Sequence, residues 1–481
     1  MGAFLLANKA LLPEMIIFLM SLIVLMSAVF LPQSKRDITL LGMTLLTLFF
    51  ATFASIWGVP ESTQWLMHKM VVVDHLGTVL KISSYLIGAC LCAYAYRSLH
   101  EMKMPVGEFY VLTLLSLLGL SVLVSAGNFM TLFVGLELMS LPLYAMIAMR
   151  RQSILALEAA LKYFVIGAIA TGILLYGISL LYGATQSLSF LEISSAMQGS
   201  FASHHLLMTF SLAFIMMGLG FKLGLVPCHM WLPDVYEGAP TIMTMFVATL
   251  AKIGAVGMLM RVLLLAMPAL MPEWQPLLMV LIMLSLFLGN VTAVRQTNLK
   301  RLLAYSSIAQ FGTILLGVLT GTTFGNSATL FYLVSYGITT LAAFALLMCF
   351  RREDGSEAVL ISDYSGLFKH HPWYAVMFAI VMFSLAGVPP FLGFIAKFQV
   401  FQALMQAGSL GILIYTLLMT VVAAYYYIAV IKVMFFDENT VPLQRISLGL
   451  ASTVLSLNVV AVLLLGIFPS ALLTCINMFV V

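Results

Sequence analysis

Apolar residues run through this chain in long unbroken stretches, and the polar residues gather in short gaps between them. Crossing a bilayer as a helix takes about 20 apolar residues. The pattern predicts spans at 11–31, 38–57, 76–96, 109–126, 128–149, 154–182, 206–226, 240–266, 274–294, 301–321, 327–350, 373–406, 410–434 and 446–478, about fourteen in all. The alternation expected of barrel strands is missing. Backbone groups in lipid need internal partners, so the fold class is an all-α membrane protein. Two spans are interrupted. The seventh continues past Pro227 as a short segment towards Pro240, and the twelfth breaks at Pro389-Pro390.

Composition agrees. The 481 residues are 62% hydrophobic and 8% charged. That is too few charges to clothe a soluble body of this size. The first apolar run, from about Leu11, lacks a strong basic leader and a small-residue cleavage site, and reads as a retained helix. Basic residues test the count. Lys35, Arg36, Arg97, Lys103, Arg150, Arg151, Arg295, Lys300, Arg301, Arg351, Arg352, Lys369 and Arg445 all fall in odd-numbered connections. The positive-inside rule then places those connections in the cytoplasm and both termini outside. The longest of them, from Arg351 to His371, reads as a solvated loop or, less simply, a docking surface.

No soluble catalytic domain fits between the spans. Cys90, Cys92, Cys228, Cys349 and Cys475 are scattered, with no C-x-x-C and no Cys/His cluster, so the chain offers no ligand set for zinc or iron–sulfur. It also lacks a Gly-rich nucleotide fingerprint and a basic stripe for nucleic acid. No cofactor is expected in this chain.

The two interruptions resemble each other. Gly220–Asp234 (GFKLGLVPCHMWLPD) and Ser384–Phe398 (SLAGVPPFLGFIAKF) each combine Gly, Pro and Lys inside an apolar span. Proline removes a helix donor and frees carbonyls, which membranes tolerate only where protein or water satisfies them. The breaks lie five spans apart, so the two units enter the membrane from opposite sides, an arrangement that points to an ion site. The expected organisation is N-terminal spans one to three (1–108), repeat unit one (109–266, spans four to eight), repeat unit two (267–435, spans nine to thirteen) and a last span (436–481). Two independent proline kinks are the plainer reading.

Ionisable groups inside these spans carry the functional argument, because each costs several kcal/mol, about 3 or more, at the bilayer centre. Glu137 sits about midway along span five. Lys222 precedes the first break and is its natural partner. Two such charges about 4 Å apart interact by about 4 kcal/mol at an effective dielectric near 20, so moving the carboxylate by a few ångströms would switch the amine between holding and releasing a proton. Lys252 and Lys397 have no acid one turn away and read as water-linked proton carriers, or as lysines capping freed carbonyls. Lys162 follows Glu158 by four residues and reads as a surface pair or as part of a channel. His229 follows the first break and suits a proton shuttle or a hydrogen-bonded structural role. Lys81, Lys432 and Arg261 are near enough to span ends to snorkel. Tyr305, Ser306, Ser307 and Tyr425 to Tyr427 are candidates to hold water, or to bond helix to helix.

Four segments resemble one known family in order and over nearly the whole chain: GLELMSLP from Gly135, Gly220–Pro240, QTNLKRLLAYSSI from Gln296, and Ser384–Phe398. They are similar to the antiporter-like membrane subunits of respiratory complex I, a superfamily shared with multisubunit Na⁺/H⁺ antiporters. The resemblance implies about fourteen helices with two inverted five-helix repeats. Lys397 departs from the M-type paralogue, which has glutamate there, and the chain ends at Val481 without the long lateral helix of the L-type. Carried onto matching positions, Glu137 and Lys222 become the coupling pair, Lys252 the central carrier and Lys397 the outlet-side lysine. Lys162 occupies a further family position, and His229 lies in a matched motif. The resemblance also implies proton transfer from cytoplasm to periplasm across a bacterial inner membrane. NADH, FMN, iron–sulfur clusters and quinone would belong to partner subunits, the peripheral redox arm and the L-type, M-type and small membrane subunits completing the assembly. The competing functions are a subunit of a Na⁺/H⁺ antiporter or membrane-bound hydrogenase, and a scaffold without its own channel.

Overall fold

The computed structural model describes residues 9–438, 443–446 and 449–478. The chain termini, whose side of the membrane the basic-residue count addresses, lie outside these residues. The helices in chain order are α1 (Leu12–Phe30), α2 (Gln33–Trp57), α3 (His75–Glu101), α4 (Val106–Val124), α5 (Phe129–Ala148), α6 (Ile154–Thr185), α7 (Phe190–Leu223), α8 (Trp231–Gly238), α9 (Thr241–Ala248), α10 (Leu250–Met260), α11 (Met271–Ala293), α12 (Leu299–Leu319), α13 (Thr323–Met348), α14 (Pro372–Ala386), α15 (Leu392–Gln406), α16 (Leu410–Phe436), α17 (Leu450–Ile467) and α18 (Ser470–Met478).

Among the described residues, 12 helices are long and apolar enough to cross a membrane, or 13 if the bent pair Ala451–Ile467 and Ser470–Ile476 is one span. The expected span at 373–406 is broken as anticipated around Pro389-Pro390, into two helices of 15 residues each, α14 and α15. The expected span at 240–266 is also broken, at Thr249 (φ −113°, ψ −74°), before it ends in a π-helical turn over Arg261–Ala266.

The alternation of connections is real in three dimensions. At one pole, Phe350–Arg351 pairs as a strand with Gln444–Arg445, Asn298 bridges Leu360, and Arg301 reaches Glu237. At the other pole, a short hairpin (β1, Gln64–Leu66; β2, Val71–Val73) meets Ala126, while Asn128 bridges Ser189. Odd connections thus gather at one end and even ones at the other.

The core sits around α9, α10, α12 and α13, which are almost wholly buried. Apolar side chains on α1, α2, α6 and α16 face outward, Phe30, Phe49, Ile169 and Val421 among them, as expected of a lipid-facing or partner-facing rim. Helices α4 and α5 pack closely, because Gly119 lies against the Met139 backbone and Gly135 against that of Leu123; a Cβ at Gly135 would stand 2.5 Å from Leu123 N. Those glycines bracket Glu137 and hold its helix in place.

Three sequence expectations need correction. Lys81 does not snorkel: it is 5% exposed and pairs with Glu14 at 2.6 Å, beside Ser121 and Tyr85. Arg261 is also buried, forked onto Asp74 and bonded to the Val124 carbonyl at 2.9 Å. Burial pushes the Asp74 carboxyl up, but Arg261 more than offsets this and holds it below the usual carboxylate range. The loop after Arg351 is not merely solvated. Leu299 N donates to Val359 O at 2.7 Å and Ile361 N to Thr297 O at 2.9 Å, so it folds back on the start of α12. Lys432 is exposed near the end of α16, as snorkelling requires.

Candidate proton path through the two helix breaks

Both interruptions are built on one plan. Helix α7 ends at Gly224 (φ +69°), whose left-handed conformation suits glycine. Gly224 N donates to Phe221 O at 3.0 Å and Leu225 N to Gly220 O at 2.8 Å. Helix α14 ends in the same way at Gly387 (φ +85°), with Gly387 N on Ser384 O and Val388 N on Phe383 O, each at 3.0 Å. This pair of hydrogen bonds closes two orphan carbonyls and leaves the last two of each helix to other donors. A cis X-Pro peptide follows at Val226-Pro227 and again at Pro389-Pro390.

A buried lysine supplies the missing donor in each case. Lys252, from α10, donates to Leu223 O at 2.6 Å. Lys397, from α15, donates to Leu385 O at 3.0 Å and Ala386 O at 2.8 Å. The two are 1% and 4% exposed. Each amine therefore stands at the negative end of a helix dipole. The expected unpaired amines are bonded to carbonyls, which is the geometry of the capping reading. Capping and proton transfer are compatible, because an ammonium has three donors: one carbonyl leaves Lys252 two for water, and two carbonyls leave Lys397 one.

Helix α12 joins the breaks. Phe311 and Trp231 present their ring faces to Lys252 at 5.1 and 5.5 Å, and the neighbouring Gln310 donates to Leu385 O at 2.9 Å. Gln310 also donates to Tyr427 at 3.2 Å and accepts from Tyr332. A cavity of about 10 Å³, room for roughly one water, is lined by Gln310, Tyr332, Ser335, Tyr336, Thr339, Ser384, Leu385 and Gly393. The anticipated hydroxyls divide: Ser306 bonds Tyr427 and Tyr426 bonds Asn290, whereas Tyr425 faces outward.

Glu137 and Lys222 sit close together but are not in contact. Lys222, 7% exposed, donates to Ser140 Oγ at 3.0 Å and Tyr144 Oη at 3.4 Å, while Glu137 accepts from Thr171 at 2.9 Å. Ser140 lies one turn beyond Glu137 on α5, so a hydroxyl of the same helix holds Lys222 in place of the expected direct pair.

Lys162 forms the expected bridge to Glu158 at 2.8 Å, and a second one, not anticipated, to Asp234 at 2.9 Å. Arg301 joins that network through Asp234 and Glu237. Lys162 thus lies on the outer face of α6 and apart from the buried amines. His229 is buried in the turn before α8, with no hydrogen-bond partner for Nδ1 among the described residues.

Two residues went unnoticed in the sequence. Lys300 counted as a loop cation, yet it is 1% exposed, with Nζ 2.5 Å from Ala239 O and 3.6 Å from Glu357. Gln310 gave a signal that could have been read: an amide three and four residues from Ser307 and Ser306 puts polar groups on one helix face.

A family model described as NADH:quinone oxidoreductase/Mrp antiporter, TM matches residues 126–424, a stretch that contains both breaks. NADH-quinone oxidoreductase subunit N of Coxiella burnetii is 45% identical over 95% of this chain and 95% of its own length. The chain belongs to the NADH-quinone oxidoreductase subunit N family. The subunit N of Thioalkalivibrio sulfidiphilus is 42% identical, with 96% of each chain covered. Among solved structures, a chain of respiratory complex I from Thermus thermophilus matches with a TM-score of 0.82 and 32% identity, covering 96% of this chain and 98% of that one. A chain of the Mrp complex from a Dietzia species has a TM-score of 0.83 at 22% identity over 98% and 97%, a likeness of fold alone. The subunit N family is thus a multi-pass membrane family whose antiporter-like fold this chain shares.

Proposed function

We propose that this chain is the proton-translocating membrane subunit N of a bacterial NADH–quinone oxidoreductase. The carrying observation is that three buried amines, Lys222, Lys252 and Lys397, stand at or next to two similarly constructed helix breaks. Residues 109–266 and 267–435 act as inverted repeats, and about fourteen crossings result when each broken pair counts as one. The odd connections face the cytoplasm and both termini the periplasm of the inner membrane.

A change in partner subunits, where NADH, FMN, iron–sulfur clusters and quinone reside, alters the spacing of Glu137 and Lys222. At an effective dielectric near 20, a pair at about 4 Å is worth about 4 kcal/mol. A shift of a few ångströms therefore changes the proton occupancy of Lys222 by orders of magnitude. The proton moves by water to Lys252, then past Gln310 and its hydroxyl-lined cavity to Lys397 and outward. Lys162 and Asp234 hold α6 against α8, and His229 serves as an auxiliary proton site near the first break.

Glu137→Ala and Lys222→Ala in the assembled complex are expected to lower quinone-coupled pumping by roughly tenfold or more each, the effect of losing about 1.4 kcal/mol of transition-state stabilisation. Normal pumping by both variants overturns the assignment. Sodium exchange is the less favoured alternative, because Na⁺ prefers several hard oxygens and Glu137 is the one acid expected at mid-depth.

A further inference from the structure

We infer that the basic-lined cavity where four odd-numbered connections meet is a binding site for the phosphate headgroup of an anionic phospholipid. The cavity encloses about 1360 Å³ between the α3–α4 turn, the end of α5 and the strand pair at Arg351 and Arg445. Its basic side chains are Lys103, Arg150, Arg151, Arg351 and Arg445, against the acids Glu101 and Glu108. Arg351 is partly engaged by Glu357 at 4.0 Å, and Arg445 lies over the Tyr374 ring at 5.1 Å. Among the described residues Lys103 and Arg151 take part in no ion pair, and Arg150 interacts with Glu357 only at longer range. A guanidinium pair that is only partly compensated, in a concave site, suits a phosphate, which it can bind bidentately.

A second observation selects lipid over a free anion. The cavity floor is apolar where Ala145 and Ala148 line it, and Leu141, one turn from Ala145 on α5, is also exposed. Met130, Val134 and Leu141 are each 51% exposed and, with the exposed Ala145, lie at spacings of four, seven and four residues on one side of that helix, with Glu137 in the seven-residue gap. Headgroup and acyl chains would thus find a charged pocket and an apolar track in the order a bilayer presents them. Basic pockets between membrane helices at the positively charged side recognise such lipids. The site is separate from the buried lysines and does not depend on their assignment.

The test uses the assembled complex in phosphatidylcholine vesicles doped with photoactivatable phosphatidylglycerol, with labelled peptides mapped by mass spectrometry. Labelling of 102–112 and 145–153 by this probe, and not by its phosphatidylcholine counterpart, is expected. Arg150→Gln with Arg151→Gln should reduce that labelling by roughly tenfold, since each basic residue near the surface contributes several-fold to anionic-lipid affinity. Equal labelling by phosphatidylcholine in the wild-type complex overturns the proposal, whether or not the double variant assembles. Loss of labelling with inorganic phosphate as competitor overturns the lipid assignment in favour of a free anion. Cross-linking of the cavity to an acidic segment of a partner subunit, with no lipid label, also overturns it.

Discussion

Gln310 and Lys397 donate to the same oxygen, the Leu385 carbonyl, at 2.9 and 3.0 Å. The first comes from α12 and the second from α15, so one orphan carbonyl at the end of α14 is where two elements meet. The same Gln310 is next to Phe311, over whose ring Lys252 sits at 5.1 Å. An amide thereby links the surroundings of two amines that the sequence places far apart.

Gln310→Leu tests that link. The leucine keeps the volume but removes both donors and the acceptor for Tyr332, leaving buried polar groups unpaired at a cost of about 1–3 kcal/mol each. The assembled complex is expected to melt several degrees lower in calorimetry and to pump less per NADH oxidised. Unchanged stability and pumping would mean that water or Lys397 alone satisfies the carbonyl.

Gly224 bears on Lys252 directly. A Cβ at Gly224 would lie 2.6 Å from Leu232 Cδ1 and 3.0 Å from Lys252 Nζ, on a backbone with φ +69°. Gly224→Ala is therefore expected to cost more than about 1 kcal/mol and to displace the amine from Leu223 O. Limited proteolysis near Gly224 and pumping assays should both change; wild-type behaviour in both would show that the break tolerates a side chain.

Glu357 gives a pH signature at the cytoplasm-assigned pole. Burial pushes its carboxyl up, but Lys300, the Thr241 hydroxyl, Arg351 and Arg150 more than offset this and hold it below the ordinary value. A depressed folded-state value contributes stability that is present above the unfolded carboxyl range and lost as pH falls through the folded one. Amide hydrogen exchange at 351–363 is expected to rise on acidification below that ordinary range. Glu357→Gln should remove most of this dependence, and a loop equally protected at all pH values in both proteins would refute the tie.

Much of this fold could be read from residue patterning, because membrane helices announce themselves by length and apolarity alone. The breaks were legible too: Gly224 and Pro227, like Gly387 and Pro390, declare a helix end in any context. What patterning cannot supply is depth and partnership across helices. Lys81 and Arg261 sit near span ends and looked able to reach water, yet Glu14 and Asp74 arrive from distant elements to hold them inside. Lys300 was hidden for the same reason, because its acceptor, Ala239 O, comes from α8's end, 61 residues away. Glu137 and Lys222, expected to pair, instead bond to Thr171 and to Ser140 and Tyr144, partners that no spacing rule names.

The most direct measurement is the number of protons pumped per NADH oxidised by the assembled complex carrying Lys252→Gln. Glutamine retains an N–H donor for the Leu223 carbonyl but cannot take up and release a proton near neutral pH. If the amine carries protons, the complex should assemble with its usual stability while pumping falls by roughly tenfold or more. Full pumping with glutamine at position 252 would reduce the lysine to a cap on a broken helix and contradict the proposed path.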